Sequence, residues 1–192
     1  MGETPALAFQ FYVDAGGGLS KLSTPAGLTS GTATELAVLF PFTHPSSQIG
    51  LHFGAMHRTS SATSGATYYG LQAIYPVIRL EALRVFITGG ATAVTLWSRA
   101  RGNAGFDGFK RVSGFAAYGE AGYEHPITPE ISIIASAFGE FYSAGSPDGL
   151  ASQTSISGLL GFRLFYGAPA PSSGPPRGLE GWRYPFGLEK KK

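Results

Sequence analysis

Side chains in this chain alternate between apolar and polar character at every second residue, a period that indicates β-strands rather than helices. In residues 34–42, for example, Leu36, Val38 and Phe40 fall on one face and Glu35 falls on the other. Eight segments follow this pattern, each near the roughly 9–11 residues that a tilted membrane strand requires. These segments are 8–16, 34–42, 47–58, 69–77, 83–96, 113–124, 130–142 and 154–167.

The composition favours a membrane barrel over a soluble domain. Charged residues make up 14% of the chain, against about 25% in typical soluble domains. The longest apolar run, 36–42, contains Pro41 and is much shorter than the ~18–20 residues of a membrane helix. The absence of cysteine excludes disulfides, thiolate metal sites and cysteine nucleophiles, and the net charge of +2 is too small to indicate a nucleic-acid partner. The sequence therefore predicts an all-β, eight-stranded antiparallel up-and-down transmembrane β-barrel.

The connections between the predicted strands fall into two classes that alternate along the chain. Three are short and contain or adjoin proline, which cannot donate to a strand ladder: 43–46, 78–81 after Pro76, and 125–129. Four are longer and rich in Gly, Ser, Thr and Asn: 17–31, 59–66, 101–110 and 144–152. Short turns at one end and long loops at the other are typical of outer-membrane barrels. This asymmetry predicts that the short turns and both termini face the periplasm.

Residues 1–167 are predicted to form the barrel and 168–192 an irregular, Pro/Gly-rich periplasmic tail that ends in lysines. Residues 1–3 lack the basic and apolar regions of a signal peptide, so we expect a leader to have been removed or replaced by Met1. The tail interleaves cations with aromatic side chains, a combination suited to docking a periplasmic or membrane partner. A disordered terminus is the alternative. The predicted docking residues are Trp182, Arg183, Tyr184 and Phe186.

Two stretches carry a resemblance to a known family. These are YEHPITPEISI at 123–133, a strand–turn–strand pattern, and the aromatic-ended closing strand GLLGFRLFY at 158–166. Over residues 6–167 the chain resembles the OmpA/OmpX-type superfamily of small eight-stranded outer-membrane barrels. The resemblance implies a place in the Gram-negative outer membrane and recognition of the closing strand by the barrel assembly machinery. The chain departs from the family pattern because about 25 residues follow the closing aromatic, too few to fold alone.

If the apolar face points to lipid, several charged side chains point into the barrel. Charges in so narrow a lumen should pair, because an isolated buried charge is strongly unfavourable. The expected role is a polar plug that fixes strand register, and a proton or ion path is the alternative. The inward aromatics Phe86, Tyr118, Phe138 and Tyr142 argue against an open lumen. The predicted interior polar residues are Asp14, Glu35, His52, Arg84, Glu120, Glu140 and Arg163.

A set of cations is expected at the rim of the long-loop end. At that height they would meet the phosphates of lipopolysaccharide in the outer leaflet, and a solvated loop surface is the alternative. The predicted lipid-phosphate residues are Lys21, Arg58, Arg99, Arg101, Lys110 and Arg111.

No catalytic, cofactor or metal site is predicted. His52 and His57 are five residues apart, which places them on opposite faces of one strand and opposes a metal site. A Ser–His–acid set would need His57 with Ser60 or Ser61 and Glu140, which lie on strands that are not neighbours.

The predicted function is therefore non-enzymatic: an outer-membrane barrel that acts as a membrane anchor and as a surface-binding or partner-binding component, within an envelope complex if the tail has a partner. A narrow solute channel and a lipid A-modifying enzyme are the alternatives. A soluble barrel with reversed faces is an alternative fold. Aromatics at the short-turn ends favour the membrane because they resemble an interfacial girdle: Phe42, Tyr75, Tyr123, Phe165 and Tyr166.

Overall fold

The computed structural model describes residues 10–42, 49–102, 105–128, 130–143 and 154–166. In these ranges eight β-strands form a closed barrel in which each strand is antiparallel to the next and the last pairs with the first. This confirms the predicted up-and-down barrel. The strands are β1 (Phe11–Thr24), β2 (Gly27–Pro41), β3 (Gly50–Ser64), β4 (Thr67–Ala82), β5 (Val85–Gly102), β6 (Gly105–Pro126), β7 (Ile131–Ser143) and β8 (Thr154–Tyr166). No helix in the described ranges is long and apolar enough to cross a membrane.

The barrel has large apolar side chains on its outer face and buries its charged side chains inside, beside apolar ones such as Met56. Large apolar side chains such as Ile74 and Leu160 point outward and are 66% and 63% exposed, whereas Asp14 and Arg58 point inward and are fully buried. In a bilayer, lipid would cover the outer face. A closed barrel suits this environment because it leaves no open strand edge with unpaired backbone groups. The alternative of a soluble barrel with an apolar interior does not fit this arrangement.

The side chains of β4 point to the opposite sides of the wall from those expected. The alternation in residues 69–77 predicts that Leu71, Ala73, Tyr75 and Val77 face lipid, but all four are buried in the lumen. Residues 69–77 have apolar side chains on both faces, so the pattern could not decide between them. The deciding residues lie beyond the predicted end of the strand, where Arg79 and Glu81 point inward in the same register.

The turn after this strand is also displaced from its predicted position. Pro76 lies in the middle of β4, and the chain reverses at Leu83 and Arg84, which have positive φ angles of 51° and 70°. Two central residues with positive φ form the type I′ turn that suits the twist of a β-hairpin.

The predicted long loops are mostly strand. The first, 17–31, is a continuous hairpin closed by Pro25 and Ala26, and the segments 59–66 and 101–110 largely extend β3, β5 and β6. Strand lengths accordingly run from 13 residues in β7 to 22 in β6. The described residues therefore do not show the expected sorting of loop lengths by end. The predicted connections 43–46 and 144–152 lie outside the described residues.

Aromatic side chains form an outward-facing group near each end of the barrel. At the terminal end, where β1 begins and β8 ends, Phe11 stacks on Tyr166 with centroids 5.0 Å apart, and Phe40 stacks on Phe53 at 5.6 Å. At the opposite or hairpin end, Trp97 stacks on a phenylalanine of β6. Two aromatic bands that flank an aliphatic belt are the pattern of a bilayer-spanning barrel.

Three of the five predicted girdle residues, Phe42, Tyr123 and Tyr166, are exposed at the terminal end. The other two were wrongly assigned. Tyr75 is buried in the lumen, and Phe165 is an inward residue that packs on Tyr12 with centroids 5.0 Å apart.

Candidate functional site

The lumen at the terminal end is held together by one aspartate shared between two arginines. Asp14 of β1 accepts hydrogen bonds from Arg79 Nη1 at 2.6 Å and from Arg163 Nε and Nη2 at 2.8 and 3.0 Å. All three residues are at least 98% buried. Since β1, β4 and β8 supply one residue each, the cluster ties together strands that are far apart in sequence.

Further carboxylates complete the pairing of these arginines. Arg79 Nη2 donates to Glu120 at 3.0 Å, while Arg163 Nη1 donates to Glu81 at 2.7 Å and to Glu124 at 2.6 Å. His52 Nε2 lies 3.2 Å from Glu81 Oε2. Each arginine thus has at least two acidic partners, which is the arrangement that offsets the cost of burying a charge.

An aromatic layer fills the lumen beyond this cluster. The rings of Tyr75, Tyr118 and Phe138 contact one another with centroids 4.7–5.6 Å apart. Arg58 lies over Phe138, with its guanidinium carbon 3.6 Å from the ring centroid, and its nearest charge contact is Glu140 at 3.8 Å. Tyr75 and Tyr142 both donate to Glu140. Side chains therefore block the lumen, as is usual for eight-stranded barrels of this diameter.

The structure places six of the seven predicted interior polar residues inside the barrel: Asp14, Glu35, His52, Glu120, Glu140 and Arg163. The seventh, Arg84, was wrongly assigned. It lies in the β4–β5 turn, outside the lumen, where its Nη1 lies 3.3 Å from the Tyr123 hydroxyl. The alternation of β5 begins only at Val85, after this turn.

Four interior charges were missed: Arg58, Arg79, Glu81 and Glu124. Arg58 was wrongly placed on the rim, because β3 was expected to end there. Strand β3 continues to Ser64, and Arg58 lies on its inward face, as His52 does. The even spacing from His52 to Arg58 and from Glu120 to Glu124 is the signal that could have found two of them.

Several buried polar atoms in the described part of the lumen have no hydrogen-bond partner. They concentrate around the Arg58 guanidinium, where Glu35 Oε2 and the Ser60, Ser155 and Ser157 hydroxyls are also unpaired. Inward carboxylates outnumber inward arginines, six against three, among the described residues. The lumen is therefore a charged plug with a net acidic character.

At the hairpin end the outer wall has an aromatic surface flanked by cations. Trp97 and Phe109 stack with centroids 5.8 Å apart, and Arg111 lies over Phe109 at 4.5 Å from the ring centroid. Arg99 of β5 is also exposed and pairs with Tyr68 of β4. We call these five residues the cationic patch. The other predicted rim residues Lys21, Arg101 and Lys110 are also exposed, on β1, β5 and β6 respectively.

The structure separates the residues of the considered Ser–His–acid set. Ser60 and Glu140 are buried in the lumen, whereas His57 and Ser61 lie on the outer wall. His57 Nε2 lies 3.3 Å from Gln72 Nε2. His52 and His57 lie on opposite faces of β3. No group of three His, Cys, Asp or Glu side chains among the described residues could hold a metal ion. The predicted tail residues 182–186 lie outside the described residues.

No protein-family model matches the sequence, and no curated protein matches it. Solved structures do match the fold. Neisserial surface protein A (NspA) aligns with a TM-score of 0.60 at 14% identity, over 80% of this chain and 96% of that chain. Ail, the attachment invasion locus protein of Yersinia pestis, solved with the heparin analogue sucrose octasulfate, gives 0.52 at 11%, over 82% and 99%.

A major outer membrane protein from Thermus thermophilus gives a TM-score of 0.50 at 13% identity, over 84% of this chain and all of that one. At sequence identities this low, structural similarity is evidence for the fold alone. The apolar outer wall and polar lumen agree with it, since a closed barrel of this polarity fits a bilayer and not water. The chain therefore has the fold of the small eight-stranded β-barrels of the bacterial outer membrane.

Proposed function

We propose that this chain is a non-enzymatic outer-membrane barrel that anchors a lipopolysaccharide-binding surface at the cell exterior. The observation that carries the proposal is the cationic patch, where exposed arginines adjoin the aromatic band of the hairpin end. In this proposal the termini face the periplasm and the hairpin end faces outward.

Both the position of the patch along the barrel and its side chains suit binding to a lipid headgroup. Aromatic rings such as Trp97 and Phe109 prefer the boundary between acyl chains and headgroups. Arg99 lies two residues beyond Trp97 along β5, and Arg111 pairs directly with Trp97. Guanidinium groups at this level can donate two parallel hydrogen bonds to one phosphate, which favours lipid phosphates over neutral headgroups.

The filled lumen favours surface binding over transport. Conduction through the barrel would require Tyr75, Tyr118 and Phe138 to separate and the ion pairs of Asp14 to break. The separated positions of His57 and Glu140 likewise oppose the lipid A-modifying enzyme. Ail, which shares the fold, was solved with an anionic sulfated ligand, a precedent for anion binding on such a barrel.

Binding of phosphorylated lipid A to the detergent-solubilised barrel tests the proposal. Removing both charges with Arg99→Gln and Arg111→Gln is expected to weaken binding roughly 2- to 30-fold, from about 0.2–1 kcal/mol for each exposed contact. Arg84→Gln, which changes the same residue type at the terminal end, serves as the matched control. Equal affinity for lipid A with and without its phosphates would contradict the proposal.

Two partner predictions belong to the same proposal. The barrel assembly machinery would bind the outward face of β8 through Phe162 and Tyr166, which are exposed. A periplasmic or membrane partner would bind residues 168–192. Capture of a partner by the full chain but not by a chain ending at residue 167 would support the second prediction, and equal capture by both would oppose it.

A further inference from the structure

The wall of the barrel is interrupted between β4 and β5. The strands pair at Ala73–Val94 and again, in the same register, at Arg79–Thr88. Between these points residues 74–78 of β4 and 89–93 of β5 do not pair with each other, although both strands continue. In the described residues the other seven strand pairs run without such a gap, apart from one register shift between β5 and β6. We call residues 74–78 and 89–93 the seam.

Pro76 explains why the ladder stops here. Proline has no N–H to donate, and its ring occupies space that a paired strand would use, so it is rarely found in the middle of a sheet. The register on either side of the seam places Ala91 opposite Pro76. The backbone of β5 therefore loses its β4 partner at the centre of the seam.

Side-chain hydroxyls replace the missing backbone donors. Thr92 Oγ1 donates to the carbonyl oxygen of Ile74 at 2.6 Å, and the Tyr118 hydroxyl donates to the carbonyl oxygen of Pro76. Tyr118 belongs to β6 and must pass over β5 to do so. It passes at Gly90, where an added Cβ would lie only 3.1 Å from Tyr118 Cε1.

The outer side of the seam faces lipid. Ile74 and Ile78 are exposed there on β4, and the outward residues opposite them in the register of β5 are the small Ala93 and Gly89. Backbone groups in a bilayer have no water to bond with, so the two hydroxyl bonds stabilise this part of the wall.

We propose that the seam is a lateral opening point of the barrel, held closed by the Thr92 and Tyr118 hydroxyls. Opening would connect the surrounding lipid with the aromatic layer of the lumen at Tyr75 and Tyr118. The inference is independent of lipopolysaccharide binding, because the cationic patch lies at the hairpin end of the same wall.

Amide hydrogen exchange of the full chain in lipid nanodiscs tests this. Among residues 89–93, the amides that face β4 are expected to exchange about 10-fold faster than the β4-facing amides of the paired residues 94–98, whereas the amides that face β6 stay paired and protected. Thr92→Val and Tyr118→Phe should each accelerate exchange at 89–93 by roughly 2- to 10-fold, as expected for loss of one hydrogen bond. Pro76→Val, which restores an N–H, should slow it.

Matched controls separate the seam from general destabilisation. Thr88→Val and Tyr142→Phe each remove a hydroxyl that donates to a carboxylate in the lumen and not to the β4 backbone, so exchange at 89–93 should stay unchanged. Thr92→Ser keeps the hydroxyl and should retain wild-type exchange. Equal exchange at 89–93 and 94–98, or equal acceleration by control and seam variants, would overturn the proposal.

Discussion

Removing the Asp14 carboxylate is expected to destabilise the barrel more than any surface charge change. Asp14 is fully buried and accepts three hydrogen bonds from two arginines. Breaking a buried ion pair by deleting one partner costs about 3–5 kcal/mol, because the remaining charge is left uncompensated. Asp14→Ala should cost that amount. The residual pairing of Arg79 with Glu120, and of Arg163 with two other glutamates, makes values above this range unexpected.

The assay is urea-induced unfolding in lipid vesicles, followed by Trp97 fluorescence in a Trp182→Phe background. Asp14→Asn, which keeps the volume and one acceptor, should cost about 1.5–3 kcal/mol, the range for hydrogen bonds to charged groups. This variant keeps the test usable if Asp14→Ala fails to fold. Glu130→Gln, an exposed carboxylate, is the control and should shift stability by less than about 0.5 kcal/mol. A change below about 0.5 kcal/mol for both Asp14 variants would refute the reasoning.

Two more predictions concern the backbone. A Cβ at Gly18 would collide with the Gly158 carbonyl, whereas one at Gly158 would meet nothing within 4 Å. Gly18→Ala should therefore lower the free energy of unfolding by about 1–3 kcal/mol in the same urea assay, and Gly158→Ala should leave it almost unchanged. Equal costs would show that β1 and β8 tolerate a wider spacing. Leu83→Asn with Arg84→Gly should raise the free energy of unfolding by about 1–2 kcal/mol, because neither native residue favours positive φ; an unchanged urea midpoint would count against strain in this turn.

The sequence was informative where one face of a strand is clearly polar. Asp14, Glu35 and Glu120 each lie in a segment whose alternation separates charge from apolar side chains, so their inward position could be read directly. Arg58 was misplaced although it lies six residues from His52, because the Gly, Ser and Thr residues after it are as common in loops as in strands and left the end of β3 open. Pairing with neighbouring strands decides that question.

Pro76 shows a second limit of sequence reasoning. Proline after an apolar strand predicts a turn, and Pro76 accordingly predicts one at 78–81. The structure instead keeps Pro76 in β4 and satisfies the disturbed wall with Thr92 and Tyr118, which lie 16 and 42 residues away along the chain. Such compensation is a tertiary contact and has no local signal. The turn itself uses Leu83 and Arg84, a pair without the Asn or Gly that marks type I′ turns.

The orientation of the β8 faces in a bilayer tests the central claim most directly. The chain has no cysteine, so single cysteines can be spin-labelled one at a time at positions 156, 157, 159 and 160 in lipid vesicles. Ile156 and Leu160 point outward at 65% and 63% exposure, while Ser157 and Leu159 are buried. The account predicts high collision rates with lipid-dissolved oxygen at 156 and 160 and low rates at 157 and 159. The reverse pattern, or equal rates at all four positions, would contradict a membrane barrel with a polar lumen.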